Sequence, residues 1–189
     1  MKYIDIFREF KSKQITLFTT RDFAQVSGLS LKSSWANLGR YTKKELIKSP
    51  KRGFYYFVDN PPNEYLMANK LYYPSYISFE TALAYYSVIP EVVYSITSAT
   101  TKATRRFDSE GKTFKYLKIK LKAYTGYFKE DDYLIADPEK ALVDYLYFVA
   151  LGRKQKNDRL KLDMLTMDKV KEYADLFNND WLNKLITKI

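Results

Sequence analysis

The sequence contains no cysteine and no histidine among its 189 residues. Without cysteine there is no disulfide and no thiolate zinc site. Without histidine, neither a Ser-His-Asp triad nor a Cys-His pair can be assembled. No apolar run approaches the roughly 18 residues that a membrane span requires. Met1-Lys2-Tyr3-Ile4-Asp5 leads into alternating charges rather than an apolar signal segment. A Walker loop, a Gly-x-Gly-x-x-Gly fingerprint and a Gly-x-Ser-x-Gly elbow are also missing. These absences predict a cytoplasmic protein that is not an enzyme, needs no cofactor or metal and has no membrane partner.

What is present is aromatic and basic. There are 18 Tyr and 12 Phe; a tyrosine buries its ring while keeping its hydroxyl wet, which suits half-buried sheets and interfaces. The net charge is +10, and it is unevenly spread: residues 1–60 hold 12 Lys and Arg against 5 Asp and Glu, and residues 61–189 hold 20 against 17. A basic segment of this kind suits a phosphate backbone, because each cationic contact releases condensed counterions. A solubility feature is the alternative that charge alone leaves open.

Along the chain, the pattern predicts a short helix over Tyr3–Phe10 with Ile4, Phe7 and Phe10 on one face. Ile15–Thr19 is a β-type run. Thr20 caps a helix over Arg21–Ser27, which Gly28 stops. Ser30 caps a second helix reaching about Lys44. Glu45–Lys48 and Phe54–Val58 read as a hairpin around Ser49-Pro50-Lys51-Arg52-Gly53. Asn60-Pro61-Pro62-Asn63 is the clearest break, since two prolines halt regular structure. Beyond it, helices are expected over Glu64–Leu71 and from Ser78 to about Ser87. Strands are expected over Val92–Ile96, Thr113–Leu117 and Tyr133–Ala136. Asp137-Pro138-Glu139 is a strong helix start, followed by an apolar stripe of Ala141, Leu142, Tyr145, Leu146 and Val149. Gly152–Lys161 reads as a mobile loop, and Met167–Phe177 and Asp180–Ile189 as closing helices. The expected fold is α+β: an N-terminal winged helix-turn-helix domain over 1–60 and a C-terminal mixed α/β domain over 64–189.

The order helix, tight turn, helix, hairpin from Thr20 to Val58 is the plan of a winged helix-turn-helix, whose second helix lies in the major groove. Ala24 is the small residue that lets the helices approach, and Gly28 permits the turn. With Leu31 at zero on a helical wheel, Trp35 and Leu38 fall within about 40° of it, an expected core face. That face comes about one residue late, which predicts a slightly longer turn. Lys32, Ser33, Asn37, Arg40, Lys43 and Lys44 then lie on the other side, between about 100° and 240°. Arginine forks onto guanine and asparagine pairs with adenine. Lys32, Ser33 and Asn37 are placed to meet base edges, and Arg40, Lys43 and Lys44 to meet phosphates. Lys51 and Arg52 at the hairpin turn reach toward a minor groove or phosphate. A solvated helix face and a basic turn are the plainer readings of the same residues.

The second half of the chain adds a family resemblance. Tyr76-Ile77-Ser78-Phe79-Glu80-Thr81-Ala82-Leu83, Ile89-Pro90-Glu91, Tyr94-Ser95-Ile96-Thr97-Ser98-Ala99-Thr100, Arg105-Arg106-Phe107 and Ile135-Ala136-Asp137-Pro138-Glu139-Lys140-Ala141-Leu142-Val143-Asp144 are similar to blocks of the AbiEi antitoxins and regulators of type IV toxin–antitoxin systems. Lys51-Arg52-Gly53-Phe54-Tyr55 resembles that family's wing. The likeness covers roughly residues 1–150, and the tail after Gly152 departs from it. It implies a phage-defence (abortive infection) antitoxin that represses its own promoter by binding inverted repeats in double-stranded DNA, cooperatively at paired sites. It also implies a C-terminal domain that counters a nucleotidyltransferase-like toxin. Taken bottom-up, Lys140 and Asp144 are spaced to pair across one helical turn, worth a few tenths of a kcal/mol. Arg105 and Arg106 are candidates for a phosphate or an acidic partner, or for a surface ion pair. Three rivals stand beside this reading: a stand-alone winged-helix regulator with an effector-sensing second domain, a winged helix used only for protein contacts, and a metal-dependent nuclease built on Asp108, Glu110 and Lys112, whose spacing around Gly111 also fits a hairpin turn.

Overall fold

In the computed structural model, which describes residues 2–189, the first helix, α1, spans Tyr3–Ser12. The Lys2 backbone N–H donates to Asp5 Oδ2 at 3.0 Å and fixes its first turn. Ile6 and Phe10 are its buried residues, with Phe7 half-buried, while Ile4 is exposed. Ile6 therefore takes the inward place expected of Ile4. Strand β1 is only Phe18–Thr19. Helix α2 spans Thr20–Ser27, one residue earlier than the pattern predicts, because the cap is Thr19. Its Oγ1 accepts from the Asp22 N–H at 3.3 Å and Asp22 Oδ2 accepts from the Thr19 N–H at 2.7 Å, a reciprocal box that satisfies two orphan donors. Gly28, at φ +69°, ends the helix in the left-handed region. Ser30 caps α3, Leu31–Lys43, accepting from the Ser33 N–H at 3.2 Å.

Strands β2 (Ile47–Lys51) and β3 (Phe54–Phe57) turn at Arg52-Gly53, so Lys51 ends a strand rather than sitting in the turn. With β1 they make an antiparallel sheet in the order β1-β3-β2. The register slips between Lys48 and Lys51, where Pro50 lacks the N–H a regular ladder needs. Phe10, Phe18, Phe23, Leu38 and Phe57 fill the space between helices and sheet. The Phe10–Phe18 ring centroids lie 4.5 Å apart and the Phe10–Phe57 centroids 5.4 Å apart.

The chain divides into two compact units between Met67 and Ala68. The division falls inside α4, Glu64–Leu71, just after the Asn60–Asn63 break. The second unit contains β4 (Ser75–Ile77), α5 (Phe79–Tyr85), β5 (Ser95–Thr100), β6 (Arg105–Ser109), β7 (Lys112–Lys118), β8 (Tyr127–Glu130), β9 (Tyr133–Ala136), α6 (Pro138–Ala150), α7 (Met167–Asp175) and α8 (Asp180–Ile186). Its mixed sheet runs β6-β7-β5-β4-β9-β8. Strand β5 begins at Ser95, so Val92 and Tyr94 lie outside the ladder and are exposed. The protein is thus mixed α and β, with two sheets and eight α-helices among the described residues. None of those helices is long and apolar enough to cross a membrane.

Helix α6 is buried on every side from Glu139 to Phe148 rather than along one stripe. It packs against α5, α7, α8 and β9. Asp137 caps it, Oδ1 accepting from the Lys140 N–H at 2.8 Å, and Pro138 follows at the first helical position. Within α6, Lys140 and Asp144 do pair, but as a fully buried pair, both side chains 0% exposed. Asp144 Oδ2 also accepts from the Tyr76 hydroxyl at 2.9 Å and from Ser78 Oγ at 2.7 Å. Lys140 Nζ lies 5.0 Å from the Phe177 ring centre and 5.6 Å from that of Tyr76. Burial pushes Asp144 up and Lys140 down from their usual ranges, against their mutual attraction. The surface-pair magnitude expected from spacing alone does not apply, since desolvation now dominates. Gly152–Lys161 has neither helix nor strand, yet it is tethered. The Tyr145 hydroxyl donates to the Gln155 carbonyl at 2.6 Å and accepts from the Asn157 N–H at 2.8 Å. Lys154 pairs with Glu80 and Arg159 with Glu91.

Replacing one member of the buried pair leaves the other charge stranded. Lys140→Met should cost about 3–5 kcal/mol in urea unfolding. Lys140→Met combined with Asp144→Leu should recover much of that loss, because no charge is left buried.

Candidate nucleic-acid interface

Helices α2 and α3 are joined by three residues, Gly28-Leu29-Ser30, an ordinary length for two helices meeting across a tight turn. The residues of α3 that face the core are Ser34, Leu38 and Tyr41, all buried. Leu31 and Trp35 do not: they are 56% and 70% exposed. The expected core face of Leu31, Trp35 and Leu38 is thus corrected for two of its three members, and no longer turn is needed. The physical reason is size. α2 and α3 pack against each other, and Ser27 on α2 and Ser34 on α3 are both buried; small side chains permit that approach where an indole does not. The Ser34 hydroxyl has no hydrogen-bond partner among the described residues, so the site selects its volume rather than its polarity.

Rotating the inward face to Ser34, Leu38 and Tyr41 turns the outward stripe to Lys32, Trp35, Ala36, Gly39, Arg40 and Lys43. These six succeed one another at helical spacing along one side, and all are exposed. From Leu31 to Lys44 the sequence holds four cations and no acid. Lys44 is exposed and closes the helix as its C-cap. Ser33 is exposed, and its Oγ accepts from Ser30 Oγ at 3.0 Å. Asn37 is half-buried, its Nδ2 donating to the Ser33 carbonyl at 2.9 Å. On the hairpin, Arg52 is exposed at the turn and Lys51 is half-buried at the end of β2.

A concave surface of about 740 Å³ joins α3 to this hairpin, lined by Trp35, Ala36, Gly39, Arg40, Thr42, Lys43, Ser49 and Tyr55. Trp35, Ala36, Gly39, Thr42, Ser49 and Tyr55 are absent from the residues selected in the sequence for contact with DNA. The signal that finds Trp35, Ala36 and Gly39 is the Ser34, Leu38, Tyr41 spacing, provided a serine is allowed to count as a core residue; Ser49 and Tyr55 lie on the hairpin strands, which that spacing does not reach.

The second-unit candidates behave differently. Arg106 makes a surface ion pair with Asp108 at 2.9 Å. Its hydrogen bonds hold the Asp108 carboxyl below the usual range, helped by Thr113. The Arg105 guanidinium lies over the rings of Tyr72 and Phe107, 5.6 and 5.9 Å from their centres. Glu110 and Gly111, at φ +51° and +74°, form the tight turn between β6 and β7. Asp108 is thus occupied by a cation of its own strand, and no cluster of three or more acids able to hold a metal occurs among the described residues.

No family model and no curated protein matches this chain.

The assignment of faces on α3 is directly testable by unfolding. Trp35→Ala should change stability by no more than about 0.5 kcal/mol, and Leu38→Ala should cost about 2–5 kcal/mol. Ser34→Ala should be neutral or stabilising, since it removes a buried unpaired hydroxyl. Ser34→Leu should cost about 1–3 kcal/mol by overpacking the helix crossing. A large drop in stability from Trp35→Ala would reverse the assignment.

Proposed function

We propose that the first unit is a winged helix-turn-helix and that the chain is a DNA-binding transcriptional repressor. In this reading α3 is the recognition helix and the β2–β3 hairpin is the wing. The observation that carries it is the acid-free, cation-bearing outward face of α3, continuous with the concave surface that reaches the hairpin. The element order α1-β1-α2-α3-β2-β3 and the sheet order β1-β3-β2 support it. Such a face suits a duplex because the helix fits the major groove and its cations meet the flanking phosphates. We further propose, on the AbiEi resemblance, that the chain is a type IV antitoxin that represses its own promoter and counters a nucleotidyltransferase-like toxin. The residues carrying that resemblance include Tyr76, Ser78, Lys140 and Asp144, which meet in one buried network. They support a shared second-unit fold more directly than a toxin interface. The antitoxin reading predicts a nucleotidyltransferase-like toxin encoded nearby, whose growth arrest co-expression of this chain relieves; a toxin unaffected by co-expression would contradict it.

A second reading is favoured by one feature of the second unit, a cleft of about 530 Å³ lined by Glu80, Glu91, Tyr94, Thr97, Lys115 and Lys154 among others. It suits a polar effector that tunes DNA binding. Release of bound DNA by a small-molecule extract, abolished by Glu80→Gln, would favour this reading over the antitoxin one.

DNA binding itself predicts a steep salt dependence. The affinity of the full chain for its upstream duplex should fall linearly on a log–log plot between about 0.05 and 0.2 M salt. Arg40→Ala with Lys43→Ala should weaken binding and flatten the slope by about 2, close to 1 for each phosphate that is no longer neutralised. A slope indifferent to salt, or unchanged in the double variant, would move the interface elsewhere.

A further inference from the structure

The outward stripe of α3 is cationic at its ends and apolar at its centre. Lys32 stands near one end and Arg40 and Lys43 near the other, with Trp35, Ala36 and Gly39 between them. Two features of that centre have no explanation within the fold. Trp35 is 70% exposed, whereas a tryptophan gains most by burial. Gly39 sits in the interior of a helix, where glycine is disfavoured relative to alanine. Yet a Cβ built there meets nothing within 4 Å, and its backbone is not in the left-handed region. Neither packing nor backbone geometry requires this glycine, and the space beside its Cα is open to a partner.

We propose that α3 reads DNA by apolar contact. The Trp35 indole packs on the 5-methyl groups of thymine in the major groove, while Ala36 and Gly39 let the helix backbone approach the base edges beside it. This inference rests on the DNA-binding reading above and names its specificity. Thymine is distinguished in the major groove by its methyl group, which apolar side chains recognise. The choice of occupant follows from charge. A second copy of the same face would bring three cations against three, and an acid-free stripe offers a neutral or basic protein surface no ion pair. A duplex supplies phosphates for Lys32, Arg40 and Lys43 and methyl groups between them.

The test begins with duplexes selected by the purified full chain from a random library near physiological salt. In the enriched site, each thymine is replaced singly by deoxyuridine, which removes only the methyl. For the unmodified protein, one or two of these replacements should weaken binding about three- to fivefold, the size expected for one buried methyl. The same replacements should leave Trp35→Ala unaffected, because that variant has no indole to cover the methyl. Gly39→Leu should lose the selected site while retaining the unmodified chain's thermal stability, and Gly39→Ala should keep most of its binding. A deoxyuridine scan that is silent, or that affects Trp35→Ala as strongly, overturns the proposal. So does retained duplex binding with no enriched sequence; both results leave the DNA-binding reading intact. Failure to bind any duplex sinks both, and Trp35-dependent binding to phosphatidylglycerol vesicles instead would assign the face to an anionic membrane surface.

Discussion

The close approach of α2 to α3 constrains everything proposed for the first unit. The two helices pack against each other, and each buries a small side chain, Ser27 on one and Ser34 on the other. A helix has one azimuth at which it packs, and on α3 a serine sets it. With Ser34, Leu38 and Tyr41 turned in, Trp35 is turned out together with Lys32, Arg40 and Lys43. The feature that gives α3 a surface fit for a duplex is therefore a consequence of core packing. Were the indole, the largest apolar group on the helix, turned inward, the cations would still face out but without an aromatic ring between them.

The second unit is organised by a different constraint, the complete burial of α6. A helix enclosed on all sides is ordinarily apolar throughout, and α6 is not. It retains Lys140 and Asp144, whose charges are matched to each other and to hydroxyls from β4 and the start of α5. Such a network is weak evidence for stability, but it ties the sheet to the helix, since displacement of either strips Asp144 Oδ2 of its two hydroxyl donors. Four residues that carry the family resemblance in the sequence, Tyr76, Ser78, Lys140 and Asp144, are thus interior residues of the unit. A resemblance built on them speaks to architecture before it speaks to a partner.

Much of this was legible in the sequence where local chemistry decides the outcome. Gly28, Ser30 and the Asp137-Pro138 pair mark helix ends because capping depends on a few adjacent atoms. The hairpin around Arg52-Gly53 follows from the same kind of local signal. What was not legible depends on neighbours distant in sequence. Strands β6 and β8 lie at the sheet's two edges, where charged residues are tolerated and alternation is weak. Strand β4 is three residues long and buried on both faces, so no period shows. The azimuth of α3 was misread because hydrophobic periodicity counts tryptophan as core and serine as surface, and here volume outweighed polarity. The spacing of Lys140 and Asp144 revealed the pair but not its depth.

The chain has two tryptophans, Trp35 and Trp181, and both are 70% exposed, so intrinsic fluorescence isolates the face at issue. In a Trp181→Phe background, emission from Trp35 should be quenched as the selected duplex is added and should saturate with binding. In a Trp35→Phe background, emission from Trp181 should stay constant over the same titration. Saturating duplex that leaves Trp35 emission unchanged would contradict the placement of α3 against DNA.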